Sequence, residues 1–303
     1  MIEFKNLTLE DKPIIDRYFK QVQPRNSECT FTNLFIWRDC YEVQWAIVDG
    51  LLVIKPGQQD ETWILQPYGD YTACDLRSVF AQLDEYFSAQ GLPFIMRAVT
   101  EPFAQLLEEE YPGLFYFEDE RDLADYLYLG DDLRELKGRK YHSKRNHLSN
   151  FRKNYTDYVY EPMTKDMIDE VWAYLEDWCR QKSCSGSLDS GLHCEQKAIK
   201  EALAYFEQLD YTGAVIRLEG KIAAFTLGEQ LNDDTVVVHV EKANGDITGL
   251  YSAINQEYLQ HEWQEMMYVN REEDTGAEGL RKAKLSYHPV ELVKKYKGVY
   301  RHG

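Results

Sequence analysis

The 303 residues predict an α/β protein in which one arrangement, a mixed sheet flanked by helices, occurs twice in tandem. Three observations lead there. The same succession of strand-like and helix-like periods runs through both halves, each half turns on an acid-Gly pair, and 44% hydrophobic with 14% aromatic residues suffices for two ordinary cores.

In the first half EFKNL (3–7) reads as a strand, Thr8 as a helix N-cap and PIIDRYFKQV as the helix it opens, with Pro13 tolerated in the first turn. In the second half YVYEPM (158–163), Thr164 and MIDEVWAYLEDWC repeat this, and apolar residues at 167, 168, 171, 172 and 175 give that helix one buried face. Next, WAIVDGLLVI and AVIRLEGKIAAF are hairpins closed by Asp49-Gly50 and Glu219-Gly220, pairs suited to the left-handed backbone of a two-residue turn. Each hairpin precedes a strand (TWILQP; TVVVHVE), a helix (DLRSVFAQLDEYF; GLYSAINQEYLQHEW), a strand (FIMRAV; MMYVN), a further helix and a last strand-like stretch. The repeat offset is 156 between Thr8 and Thr164 and 170 between Gly50 and Gly220, so about fourteen extra residues enter the second half. SCSGSLDSGLHC (183–194) is the expected insertion, and its Ser and Gly content predicts a lid. Linear domains are expected at 1–131 and 157–303, with 132–156 as a basic connecting helix.

Charge narrows the partners. The net charge is −18, and residues 1–130 hold ten Lys or Arg against twenty-three Asp or Glu, which opposes DNA and anionic lipid over most of the surface. With no export-type N-terminus and no run of about 18 apolar residues, a cytoplasmic protein without integral membrane contact is expected. Six Cys make no dense disulfide framework, and Cys179, Cys184, His193 and Cys194 lack paired C-x2-C spacing, so no metal is expected.

Against this background KGRKYHSKRNHLSNFRKNY (137–155) carries seven Lys or Arg and no acid. Drawn as one helix from Asp132, it places Lys137, Lys140 and Lys144 on the same stripe as Leu133, Leu136, Leu148, Phe151 and Tyr155, as in a helix crossing an anion-binding cleft. The alternative is a helix broken at Gly138, with lysines that snorkel to water. Further on, NREEDTGAEGLRKAK (270–284) offers Arg271, Arg281 and Lys284 to phosphate or carboxylate and Glu272 to an ammonium; an acidic capping loop before a solvated basic helix reads equally well.

The element order is that of the GNAT acyltransferases, and two such halves in tandem resemble the Fem peptidyltransferases. GRKYHSKRNHLSNF (138–151), with Gly138, Arg145, Asn146 and Asn150, followed by VNREEDTGAEGLRKAKLSYHP (269–289), resembles the phosphatidylglycerol lysyltransferase C-terminal domain family over nearly the whole chain. The resemblance implies two GNAT-like domains and transfer of an aminoacyl group from aminoacyl-tRNA, or a related activated donor, to an amine or hydroxyl. It implies Glu241 as general base, with His239 on the same strand as a lesser candidate, and Tyr287 as the proton donor to the leaving group; a cross-strand salt bridge and a buried structural tyrosine remain the other readings. Lys140, Lys144, Arg145, Asn146, Asn270, Arg271, Glu272, Arg281 and Lys284 are the expected substrate-binding residues, and the acceptor end of tRNA or another phosphorylated ligand the expected partner. Coenzyme A binds GNAT proteins at an (Arg/Gln)-x-x-Gly-x-(Gly/Ala) turn; here DITGLY (246–251) puts Asp246 and Tyr251 at the deviating positions and keeps Gly249 alone. No cofactor is therefore expected, and acyl-CoA is disfavoured. A coenzyme A-dependent N-acetyltransferase and a non-catalytic binder of anionic ligands are the competing functions.

Overall fold

A computed structural model of the chain describes residues 2–58, 61–181 and 190–301. The proposed lid, 183–194, lies outside the described residues up to 189; Ser190 already opens the helix Ser190–Ala204. The element order read from the sequence is present in both halves, and both hairpins turn as expected, with φ of 47° and 85° at Asp49 and Gly50 and of 50° and 79° at Glu219 and Gly220.

Two compact units form, and they do not follow the linear halves. The first comprises Met1–Asp125, Glu273–Ala277 and Leu292–Gly303; the second comprises Tyr126–Glu272 and Glu278–Glu291. The first unit contains a three-stranded sheet (Lys5–Asn6, Gln44–Val48, Leu51–Lys55) and a four-stranded one in the order Ile64–Leu65, Ile95–Thr100, Lys295–Tyr300, Phe115–Asp119. The C-terminal strand is thus an interior strand here, antiparallel to both neighbours. Val53, Phe80, Phe87, Phe94, Met96 and Phe115 pack beneath it in one buried cluster, each such side chain contributing about 1.5–3 kcal/mol.

The second unit is built on a sheet in the order Val159–Pro162, Thr212–Leu218, Lys221–Gln230, Thr235–Ala243, Tyr268–Asn270, Asp125–Leu129, with the strand starting at Glu291 last. Its central helix, Leu250–His261, buries nine residues, including the polar Ser252, Asn255, Gln256 and Glu257. Thr235–Ala243 pairs with Tyr268–Asn270 only from Thr235 to Val237 and then parts from it. On its other side the ladder shifts, with Leu227 opposite Val240 and Gly228 opposite Val238, so His239 is the extra residue of a bulge.

The basic segment is not one helix. A short helix, Gly130–Glu135, ends with Leu136 in the left-handed region (φ 49°); Gly138 follows at φ 88°, then a 3-10 turn at Arg139–Tyr141 and the helix His142–Asn154. The break resets the phase of the 100° wheel. Leu133, Leu136, Leu148 and Phe151 remain buried, but Lys137 is 76% exposed beside Glu135 and Lys140 is 45% exposed beside Asp132. Of the three lysines only Lys144 turns inward. Among the described residues no helix is long and apolar enough to cross a membrane, and no group of His, Cys, Asp and Glu is arranged to hold a metal.

Candidate active site

The parted strands set the site. Past Val237 no strand lies beside Thr235–Ala243 on that side among the described residues, and side chains from the following turn fill the gap instead. Asn270, fully buried, accepts the Glu272 N–H at 2.7 Å, a turn that lets Glu272 adopt φ 56° and aims Arg271 and Glu272 into the opening. Arg271 Nη2 donates to Glu241 Oε1 at 2.9 Å, and Asn255 Nδ2 donates to Glu241 Oε2 at 3.0 Å. Arg271 and Glu241 are only 13% and 11% exposed. Arg271 Nη1 is buried with no hydrogen-bond partner among the described residues.

Tyr287 completes the floor. Its hydroxyl lies 2.9 Å from Ser252 Oγ, its ring meets Tyr128 edge-on, and its carbonyl accepts from the Tyr141 hydroxyl at 2.9 Å. Burial raises the Tyr287 phenol above its ordinary value, so it is protonated at neutral pH. Over this ring sit two cations, Lys144 Nζ at 3.7 Å and Arg271 Cζ at 4.9 Å from the centroid. Lys144 makes no hydrogen bond or ion pair among the described residues, and burial, with Arg271 beside it, lowers its pKa to about 8 against the pull of Glu241.

Lys144, Glu241, Arg271 and Tyr287 thus converge, whereas the other expected binding residues hold the frame. Arg145 donates to the carbonyls of Leu136 and Gly138, tying down the helix break. Asn146 lies 3.2 Å from His142 Nε2 on the exposed face, and Lys140 pairs with Asp132. Lys284 Nζ donates to the Arg271 carbonyl at 2.6 Å and so steadies the turn; Arg281 is half-buried on the same helix, Glu278–Leu285. Ser252 and Asn255 are not among the residues expected from the sequence, although two polar residues three apart on the buried face of a helix are a legible signal.

Glu272 and His239 hold each other. His239 Nδ1 lies 2.8 Å from Glu272 Oε1, on the turn after Tyr268–Asn270, and Nε2 lies 2.8 Å from Glu229 Oε1 on the neighbouring strand. Burial alone would discharge the imidazole, but the two carboxylates override it and raise its pKa to about 10. At neutral pH it is therefore a fixed cation and no base. Because the folded pKa exceeds the unfolded one, this group's stabilisation is complete below about 6.5 and is lost as pH rises towards about 10. Urea midpoints measured from pH 6 to 10 should fall more steeply for the native chain than for His239→Gln; parallel curves would contradict the triad's role.

The start of the central helix is closed off. Gly249, its N-cap at φ 90°, lies so near the helix His142–Asn154 that a Cβ would stand 2.2 Å from the His147 carbonyl oxygen. Gly249→Ala should cost about 2–4 kcal/mol in urea unfolding, from left-handed strain plus backbone overlap, and a cost under about 0.5 would mean the two helices are not pressed together.

A family model described as "Phosphatidylglycerol lysyltransferase, C-terminal" matches residues 19–297. A conserved protein of unknown function from Bacteroides thetaiotaomicron VPI-5482 is 40% identical and superposes with a TM-score of 0.93, covering 99% of this chain and 100% of that one. The C-terminal domain of a putative lysylphosphatidylglycerol synthetase from Agrobacterium fabrum is 14% identical (TM-score 0.68; 97% and 92% covered) and shares the fold. So does a tandem GNAT protein from the clavulanic acid biosynthesis pathway, 8% identical (TM-score 0.53; 100% of each chain). No curated protein matches. The match over almost the whole length, on a tandem GNAT-like fold whose second unit has parted strands, places this chain in the phosphatidylglycerol lysyltransferase C-terminal domain family, a GNAT-like acyltransferase-related fold.

Proposed function

We propose that the second unit transfers an acyl group, specifically an aminoacyl group from aminoacyl-tRNA or a related activated ester, to an amine or hydroxyl. One observation carries this reading: Arg271, its buried Nη1 without a hydrogen-bond partner among the described residues, and Lys144, which makes no ion pair among them, share the mouth of the parted strands with Glu241 and Tyr287. Buried donors without acceptors are costly, and an acyl oxygen or a phosphate of the donor supplies the acceptor. In the reaction the acceptor's N or O attacks the ester carbonyl. A new C–N or C–O bond forms, charge gathers on the carbonyl oxygen against Arg271 and Lys144, and the ester C–O bond then breaks. Glu241 takes the proton from the attacking group, and Tyr287 gives one to the departing ribose oxygen. Proton passage from Glu241 to Tyr287, directly or through water, restores both.

Coenzyme A is disfavoured as donor. The open side of Gly249, where a pyrophosphate would approach, is taken by the His147 carbonyl, and Asp246 adds a negative charge to that turn. Calorimetry distinguishes the donors. An amide-linked aminoacyl-adenosine mimic should bind at about micromolar strength, roughly −8 kcal/mol, and acetyl-CoA should give no heat at the same concentrations. The opposite pattern would replace this reading with acetyl transfer. A non-catalytic binder would take the mimic yet show no transfer from aminoacyl-tRNA to any of a panel of amines and hydroxyl compounds.

A further inference from the structure

The first unit carries a second constellation, on the four-stranded sheet and the loops beside it. Trp37 ends the helix Phe31–Trp37, its ring 5.8 Å from that of Tyr41; Tyr41 meets Trp63 at 6.3 Å, edge to face; and the Arg97 guanidinium lies 5.1 Å from the Trp63 ring. Glu120 closes the series, Oε1 standing 3.6 Å from Arg97 Nε. All five side chains are half-buried.

What sets the cluster apart is that its charges are paired at a distance, without hydrogen bonds. At 3.6 Å to Glu120 and 3.8 Å to Glu61, Arg97 makes no hydrogen bond with its side chain among the described residues. Glu120 Oε2 is buried without a hydrogen-bond partner among the described residues, its side chain only 15% exposed. Burial raises the Glu120 carboxyl above its ordinary value, although Arg97, Lys297 and Lys295 all pull it down. The Lys295 ammonium is committed elsewhere, to Asp125 and Glu28. A guanidinium and a carboxylate half out of water, paired at 3.6 Å yet not hydrogen-bonded, form a costlier arrangement than a close, hydrogen-bonded salt bridge would.

The backbone is bent to make it. Arg97 and Ala98 together oppose the single residue Lys297 across the ladder, a bulge, and Ala98 takes φ 52°, a left-handed conformation that alanine adopts only under constraint. Bulges re-aim side chains, and this one carries Arg97 over Trp63. Strain, an open ion pair and an aromatic wall meet at one place.

The chemistry of a matching ligand follows from the two half-buried charges, Arg97 and Glu120, since Glu61 is exposed and stands farther off at 3.8 Å. A simple anion would satisfy Arg97 and be repelled by Glu120; a simple cation would do the reverse. A small molecule with an ammonium and a carboxylate on neighbouring atoms satisfies both, and its remaining part can rest on the indole and phenol rings. We propose that the first unit binds a free α-amino acid, its carboxylate on Arg97, its ammonium on Glu120 and its side chain against Tyr41 and Trp63. This assignment does not rest on the transfer reading of the second unit.

The test uses the full chain. Thermal shift and calorimetry with free L-amino acids at up to about 10 mM should reveal at least one with Kd below about 1 mM. Its decarboxylated amine and its deaminated acid should each bind at least tenfold more weakly, Arg97→Met and Glu120→Gln should abolish binding, and Trp63→Ala should weaken it. Where the charge variants fail to fold, Arg97→Lys, which keeps the charge but loses the fork, should still weaken binding about tenfold. Arg271→Gln in the second unit should leave amino-acid binding unchanged. The proposal is overturned if no amino acid binds, if the single-charge analogues bind as well as the parent, or if binding is lost in Arg271→Gln and retained in Arg97→Lys.

Discussion

Arg271→Gln is expected to lower the rate of acyl transfer by about 10²–10³-fold, the usual loss when one preorganised donor to a developing oxyanion is removed. The expectation rests on position and on what Arg271 lacks. It is held from behind by Lys284 at its carbonyl and from one side by Glu241 at Nη2, which leaves Nη1 buried with no acceptor in hydrogen-bonding geometry among the described residues. Glutamine keeps a donor but neither the charge nor the fork. The loss should fall mainly on kcat, because charge on the acyl oxygen is largest in the transition state. Glu241 keeps its hydrogen bond from Asn255, so the variant should remain folded, destabilised by about 1–3 kcal/mol for the carboxylate left without its cation. Single-turnover rates alongside urea midpoints separate the two effects. A folded variant with undiminished transfer would remove Arg271 from the reaction.

A loss of about 3–5 kcal/mol in folding stability is expected for Lys295→Met, the range for stripping one partner from a buried ion group. Lys295 is 1% exposed at the start of the C-terminal strand, with Asp125 Oδ1 at 2.7 Å, Glu28 Oε1 at 2.6 Å and Glu273 Oε2 at 3.8 Å. Asp125, fully buried, in turn accepts the Ser27 N–H at 2.7 Å, so its carboxylate cannot turn out to water without breaking the fold around it. Methionine fills much of the volume and leaves the negative charges facing each other. Burial already raises the Glu28 carboxyl despite Lys295, and the substitution would raise it further, so the variant should regain part of its stability as pH falls towards 5. Lys295→Met with Asp125→Asn should be less damaging than the single change at neutral pH. Chemical denaturation of the three variants decides it; a single-variant loss below about 1 kcal/mol would show the group to be dispensable.

Local physics makes much of this protein legible in its sequence. Helix period, N-caps at Thr8 and Thr164 and the left-handed pairs Asp49-Gly50 and Glu219-Gly220 depend on neighbours a few residues away, so the duplicated order can be read directly. The segments around Lys144 and Arg271 to Tyr287 are legible as chemistry for the same reason: unusual residue types stand close together in the chain. Tertiary structure alone decides which of them meet. Gly138 permits a helix or ends one, and the buried packing of Leu136 and Tyr141 selects the break that turns Lys144 inward and leaves Lys137 and Lys140 in solvent. Asn255 reaches Glu241 because a buried helix crosses the strand that carries it, a pairing no spacing encodes. The last strand likewise reads as the end of the second half, yet Lys295 finds its carboxylates at Glu28 and Asp125, 267 and 170 residues away in sequence. Periodicity records which face of an element is apolar; it holds no information about which distant charge that face will bury, and that choice is made only when desolvation forces each buried ion to find its partner.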